Sequence, residues 1–507
     1  MPPSYIRSEA AVHPESRNGL SFSPKPLARR TSALLGLCVA STLSMAALAA
    51  DEPKADRKIN GNMTVDYLVL PGEASSVNEM FSGGEFYGRL RSNTFAWDWE
   101  TEAGNNQDHE IGGIGGSLIW KSGRYNGFGL NFGVYATSNA YFRVDEADYA
   151  TIRAGKDLIS RGTGDGSFAL IGEAAVNYQG EKLGFVVGRQ LYESHFTASN
   201  DTKMIPNTFD GASFTYKAAA GIKLAGAWFY QTKLRDHIYG HDFLTYNDDQ
   251  GRPWRNQDDS GAHRGLTFDR LTAAGLDTDN EMIILSAQKK FGAIDTKLSH
   301  LRIPELMGQT VLEFKGGFNK GGAFSIHPAL KIMMQHDEEG GRIGGASLRR
   351  NVSNDNPRGY TDPDSLESTL VAARVEFRQK STGFAYRIGY SQVSDDADIV
   401  APWRGFPTGG YTRPMGQVNW TANESSWMFQ VKGNLSKWLP WDGTRFLVRH
   451  GIFDRDESKG FTDRSAFNVD IDQQLTTNLS MRLRTVLVSD DGNSDYNEYR
   501  MEFNYLL

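Results

Sequence analysis

Basic side chains recur at even spacings along the chain: Arg89 and Arg91, Arg374 and Arg378, Arg482 and Arg484, with Arg387, Lys432 and Arg500 set singly among apolar neighbours. A guanidinium holds a carboxylate through two parallel hydrogen bonds and stays charged at any working pH. Several in succession offer an anion a series of comparable weak sites, which is chemistry of attraction without trapping. Other constellations carry less. The His237-x-x-x-His241 spacing, with Asp242 beside it, converges on a metal only on a helix, and Tyr239-Gly240 argues against one. Asp248, Asp249, Asp258, Asp259, Asp277 and Asp279 gather acidic charge without the spacing of a calcium loop. Gly112-Gly113-Ile114-Gly115-Gly116 has no helix after it to complete a phosphate cradle, and small residues easing strand closure explain it better. No G-x-S-x-G elbow occurs and the ten His are scattered, so no catalytic residue, metal or cofactor is expected.

The elements that must position these cations are strands. Phe128, Leu130, Phe132, Val134 and Ala136 alternate with Gly127, Gly129, Asn131, Gly133 and Tyr135. Val371, Ala373, Val375 and Phe377 oppose Arg374, Glu376 and Arg378, and Leu479, Met481, Leu483 and Leu487 oppose Ser480, Arg482 and Arg484. Period-two patterns of this kind are half-apolar strands. A soluble antiparallel sandwich shows the same alternation, so three further features decide. The segments run for about 9 to 11 residues, the length of a tilted strand crossing a bilayer. Aromatics sit at segment ends, as in Phe95, Trp97 and Trp99, Trp120, Tyr178, Trp228 to Tyr230, Trp427, and Trp438 to Trp441, where rings would form interfacial girdles. Connectors also alternate in length. Asn126-Gly127, residues 178–182, 289–292, 319–322 and 380–383 are tight turns, whereas 138–166, 191–211, 232–280, 336–367 and 391–415 are long and polar. Short turns on one side and long loops on the other describe a transmembrane antiparallel β-barrel, all-β, of 18 strands or else 16.

The ends of the chain agree. Lys25, Arg29 and Arg30 precede the uncharged run 32–49, which closes on Ala47-Leu48-Ala49, so residues 1–49 form a cleaved export signal and residues 50–507 a single barrel domain. The signal holds the single Cys, Cys38, and carries five basic against two acidic side chains; its removal takes the formal net charge from −7 to −10, which argues against nucleic acid as a partner. Tyr499, Met501, Phe503, Tyr505 and Leu507 alternate with Arg500, Glu502, Asn504 and Leu506, so the chain stops inside a strand. Glycine is in excess, 54 of 507 residues, with 11% aromatics, which excludes disorder, and the single Cys excludes a disulfide scaffold.

Gly188-Arg189-Gln190, followed by Ser199-Asn-Asp-Thr-Lys-Met-Ile-Pro206-Asn-Thr-Phe-Asp-Gly211, resembles the third-loop region of the OprD-type substrate-selective outer-membrane porins. The likeness covers most of the mature chain in layout and is sharp at residues 188–211. It implies an 18-stranded barrel, monomeric or loosely trimeric, in the bacterial outer membrane, passing small and often carboxylate-bearing solutes. It further implies a constriction in which inward-folded third and seventh loops face a basic ladder. Leu507 stands where such barrels commonly end in an aromatic residue, the signal read by the outer-membrane assembly machinery. Tyr192, His195, Ser199, Asn200 and Asp201 are the constriction candidates in the third loop, and Asp395, Asp396 and Asp398 in the later one.

The ladder is then Arg89, Arg91, Arg374, Arg378, Arg387, Lys432, Arg482, Arg484 and Arg500, all expected to point into water from the polar faces. The expected function is passive uptake of small anionic or zwitterionic solutes, with membrane lipid and lipopolysaccharide as the surroundings. The alternative is an outer-membrane barrel hydrolase of lipase or protease type.

Overall fold

A computed structural model describes residues 57–104, 106–142, 158–160, 164–244, 262–440 and 442–507. The expected signal, Trp441, the acidic residues 248–259 and parts of the second and fourth loops lie outside the described residues.

Eighteen long strands pair antiparallel with their sequence neighbours. They are β1 (Glu85–Trp99), β2 (His109–Lys121), β3 (Phe128–Tyr141), β4 (Ser167–Gln179), β5 (Leu183–Gln190), β6 (Thr208–Lys217), β7 (Lys223–Lys233), β8 (Met282–Phe291) and β9 (Ile294–Ile303). Then follow β10 (Met307–Gly316), β11 (Phe324–Asp337), β12 (Ser368–Gln379), β13 (Ala385–Val393), β14 (Ser425–Asn434), β15 (Thr444–Asp454), β16 (Arg464–Gln474), β17 (Leu479–Asp490) and β18 (Tyr496–Leu506). β18 pairs with β1 from Tyr496↔Trp99 to Leu506↔Arg89, which closes the barrel. Of the two counts allowed by length, 18 is the one formed, a size at which porin-type barrels enclose an aqueous lumen.

The alternation dictates which way each side chain points. Leu90, Leu118, Phe132, Leu285, Leu298 and Phe429 are exposed on the outer face, while Arg91, Glu313, Glu376 and Glu502 on the other parity are buried inside. In water that outer surface would be an extended apolar patch; in a bilayer it is satisfied. Turns match their residues: Asn126 and Gly127 both take positive φ (51° and 83°), the two-residue turn whose twist suits a hairpin. Leu507 lies over Gly88, where a Cβ would meet its side chain at 2.8 Å, and its N–H donates to the Gly88 carbonyl at 3.0 Å.

Two sequence expectations fail in physical detail. Phe95, Trp97 and Trp99 do not form a girdle; they share the parity of Arg89 and Arg91, point inward, and are buried, with the two tryptophans packing with Tyr496, Phe453 and Met415. Trp228, Trp427 and Trp438 do lie on the exposed surface. The inner wall is also not uniformly polar. Phe229, Met282, Ile284, Leu301, Ile303 and Met333 face inward and join one apolar cluster with loop residues Phe196, Phe243, Leu266, Leu348, Trp403 and Trp420. Long loops fold into the barrel and fill that part of it.

Candidate functional site

Four loops on the long-loop side shape the lumen: L3 (residues 191–207), L4 (234–281), L6 (338–367) and L7 (394–424). L3 is pinned to β1. Asp201 is buried and bridges Arg89 (3.0 Å) and Arg91 (2.9 Å), while Arg91 also donates to the Asp201 carbonyl at 2.8 Å and Asn93 to the Thr202 carbonyl at 2.9 Å. The glycines of β2 make room for this: a Cβ at Gly115 would lie 3.1 Å from Met204 Sδ of L3, and one at Gly113 would lie 2.8 Å from Leu158. A short ribbon, Arg57–Ile59 with Val65–Tyr67, reaches the same place. Its turn offers the Asn62 carbonyl to Asp201 N–H (2.9 Å), the Met63 carbonyl to Arg89 (2.6 Å) and the Gly61 carbonyl to Arg482 (3.1 Å).

The ladder residues are on the inner face but do not stand free in water. Eight of the nine pair with a carboxylate: Arg89 and Arg91 with Asp201, Arg378, Arg387 and Lys432 with Glu376, Arg482 with Asp470 and Asp472, Arg484 with Glu502, and Arg500 with Glu498. Arg374 instead donates to the Gly410 carbonyl of L7 at 2.6 Å and lies over the Tyr411 ring. Arg387 reaches the same carbonyl at 2.8 Å. Tyr411 is held from the other side by Lys331, 5.0 Å above its ring, and donates its hydroxyl to Glu313 at 2.8 Å. L7 is thereby tied to the wall of β10–β13.

The constriction candidates separate into three groups. Asp201, Asn200 and Ser199 hold L3 together: Asn200 Oδ1 accepts from Thr202 N–H (3.1 Å) and Oγ1 (2.8 Å), and Ser199 Oγ accepts from Tyr192 N–H at 3.0 Å. Tyr192 packs edge-on against Phe229. His195 crosses to the wall, with Nδ1 2.9 Å from Ser299 Oγ and Nε2 3.1 Å from Glu313 Oε2. The acidic residues of L7 have different surroundings from one another. Asp395 and Asp396 are exposed, Asp395 pairing with Lys459, and Asp398 is fully buried. Asp398 accepts from Leu348 N–H (2.9 Å), Ala422 N–H (2.8 Å) and Tyr360 (3.0 Å), so it staples L6 to L7; burial pushes its carboxyl above the ordinary aspartate value despite those donors.

Sequence reasoning missed the cations carried by the loops. Arg413 of L7 stacks on Phe406 at 3.6 Å, and burial together with Arg404, Arg500, Arg449 and Arg235 pushes its guanidinium below the usual value. Loops have no period, so nothing in the sequence announces that Arg235, Arg404 and Arg413 converge. The Arg189 and Asp210 of the 188–211 motif are paired on the outward parity of β5 and β6 (2.8 and 2.7 Å), where they fix strand register beside Gly188 and Gly211. His237, His241 and Asp242 are used locally: Asp242 Oδ1 accepts from Leu244 N–H at 2.6 Å, and His241 Nδ1 lies 2.7 Å from the Asp242 carbonyl. Among the described residues no group of three or more His, Cys, Asp or Glu is placed to hold a metal.

No protein-family model and no curated protein matches the chain. Solved structures do. It is similar to Pseudomonas aeruginosa OccK9 (OpdG) at 17% identity over 84% of this chain and 99% of that one, with a TM-score of 0.62. OpdK from the same organism, solved with vanillate, matches at 15% identity over 84% and 99%, with a TM-score of 0.63. For OpdQ the figures are 15%, 85%, 99% and 0.60. The fold is that of the OprD-type porins. The third-loop motif thus sits in the barrel position that the resemblance implied, between the fifth and sixth strands.

Proposed function

We propose that the chain is an outer-membrane channel for passive diffusion of small anionic solutes, in particular carboxylates. One observation carries the reading: on β12–β14 three cations, Arg378, Arg387 and Lys432, share a single carboxylate, Glu376, while Arg374 beside them donates to the Gly410 carbonyl. The Arg378 and Lys432 side chains are 54% and 37% exposed, against 2% for Glu376, so the uncompensated charge is accessible to a solute. Bidentate donors of this kind attract a carboxylate and, already shared with Glu376 and Gly410, hold it weakly. The loop arginines around Arg413 extend the same bias inward. The likeness to porin folds at 14–17% identity supports a barrel of this type and leaves the solute to the residues themselves. Single-channel recording under a salt gradient tests the reading: anion-selective ohmic steps are expected, and cation selectivity would sink it.

A second reading has one observation behind it. Ser299, His195 and Glu313 are hydrogen-bonded in the order of a hydrolase triad. Ser299 is 1% exposed, however, and Glu313 is shared with Lys315 (2.6 Å) and Tyr411, which leaves a substrate carbonyl no approach to the hydroxyl. Labelling of Ser299 by a fluorophosphonate would revive it; an unlabelled serine is expected.

A further inference from the structure

Above the β18–β1 seam, on the long-loop side, lies a cavity of about 330 Å³ within the size range of small-molecule sites. L6 contributes Arg349 and Arg350 to its lining, the loop of residues 455–463 contributes Arg455 and Phe461, β16 contributes Arg464 and β17 contributes Asp490, while Trp99 and Tyr496 close the inner side. Trp99, Arg464, Asp490 and Tyr496 share the inward parity of their strands, so the cavity opens toward the vestibule and not toward lipid.

The lining carries Arg350, Arg455 and Arg464 together with Asp490. Asp490 is already saturated by Arg464 (Nε, 2.8 Å), Thr462 Oγ1 (2.6 Å) and Asn493 (3.0 Å). Among the described residues Arg350 is held by neutral acceptors, the carbonyls of Lys459 (2.7 Å) and Gly460 (2.6 Å), and lies 5.2 Å from the Phe461 ring. The Arg455 guanidinium lies 4.6 Å from the centroid of the same ring. It is 7% exposed, one terminal nitrogen donates to the Thr462 carbonyl at 3.5 Å, and its Nε, which makes no hydrogen bond, faces the buried Glu424 carboxylate 3.9 Å away in an ion pair. Buried guanidinium donors without acceptors are costly unless something supplies the acceptor.

We propose that this cavity is an external capture site for a small carboxylate with a planar apolar body, the carboxylate taken by Arg350 and Arg455 and the body laid against Trp99 and Tyr496. It rests on the channel reading for its purpose, which is to concentrate solute at the outer mouth before the wall of β12–β14. Its chemistry is independent of that wall.

The test is calorimetric titration of benzoate into the detergent-solubilised barrel carrying Arg374→Gln and Arg387→Gln, which removes two of the four cations of the lumenal wall. Saturable binding is expected, weakened tenfold or more by adding Arg350→Gln with Arg455→Gln, and restored to within threefold by the corresponding lysines. Benzamide, neutral and of the same shape, should not bind. Heat-modifiable mobility on electrophoresis reports that each variant is a closed barrel. Absence of benzoate binding, equal binding of benzamide, or indifference to the glutamine pair would each overturn the site. Planar-bilayer recording of the same protein separates the two readings: silence there with benzoate binding intact removes the channel and leaves the site, while conduction without binding does the reverse.

Discussion

Two stretches of the inner wall use the same residues to opposite effect. From β16 round to β1, Arg482, Arg484, Arg500, Arg89 and Arg91 face five carboxylates, Asp470, Asp472, Glu502, Glu498 and Asp201, and carbonyls of the ribbon around Met63 take up further donors. On β12–β14 Arg378, Arg387 and Lys432 share Glu376, and Arg374 meets only the Gly410 carbonyl and the Tyr411 ring among the described residues. The first stretch is neutral, buried and committed to holding L3 and the ribbon; the second is cationic and open. A row of arginines is therefore not by itself a path for anions. Its meaning depends on how many carboxylates the neighbouring strands and loops place beside it.

The sharpest way to break the comparison is Asp201→Asn. It strands two buried guanidiniums, Arg89 and Arg91, so a loss of about 3–5 kcal/mol of stability is expected, read as a lower temperature for loss of heat-modifiable mobility, together with higher single-channel conductance as L3 leaves the wall. Equal stability would mean that the neutral stretch is not a clamp.

Acid tests the contact between L4 and L6. His263 of L4 lies with Nε2 2.7 Å from the Gly345 carbonyl of L6, and its Nδ1 accepts from Gly265 N–H at 3.1 Å. Burial pushes it down to about 4. Below its unfolded value of 6.5 the unfolded loop binds the proton that the folded loop refuses, so the stabilisation is whole above about 6.5 and drains as pH falls toward 4, by up to about 3 kcal/mol. Hydrogen exchange at residues 263–266 and 344–348 should accelerate over that window in the native chain. A flat profile would disprove the anchor.

A smaller effect separates attraction from architecture. Arg374→Gln with Arg387→Gln should lower anion flux about tenfold, or about 1.4 kcal/mol of lost attraction, and move the reversal potential toward zero. The matching Arg484→Gln with Arg500→Gln should cost stability without that change in selectivity. Smallest of all, Arg378→Gln should alter stability by less than about 1 kcal/mol, since its pair is half exposed and screened; a larger loss in chemical denaturation would show that Glu376 depends on it.

The strands were legible because a period of two repeats over enough residues to survive local noise: β3 and β17 begin at Phe128 and Leu479, where the alternation begins, and β12 starts at Ser368, three residues before Val371. What the period cannot tell is which medium a face meets. Arg89 and Trp97 share one parity, and both point inward, because the same wall is lined by ions at one height and by packed loop aromatics at another. Asp201 was readable as a loop carboxylate opposite a basic strand; its partners Arg89 and Arg91 are 110 or more residues away in sequence and became partners only by register. Asp398 misled for the converse reason. Its acid is spent on backbone N–H groups of L6 and L7 that no side-chain pattern reveals.

The pairing of Tyr496 with Trp99 joins residues almost 400 positions apart. Until that hairpin-less junction zips, β1 presents a long ladder of unsatisfied amides and carbonyls beside Phe86 and Leu90, an invitation to aggregate. Contacts of such separation form slowly, since chain closure must precede any reward from them. The molecule therefore cannot mature segment by segment as it emerges. Closure waits until both flanks of the cylinder are available at once, and a defect in either flank leaves the other without its partner.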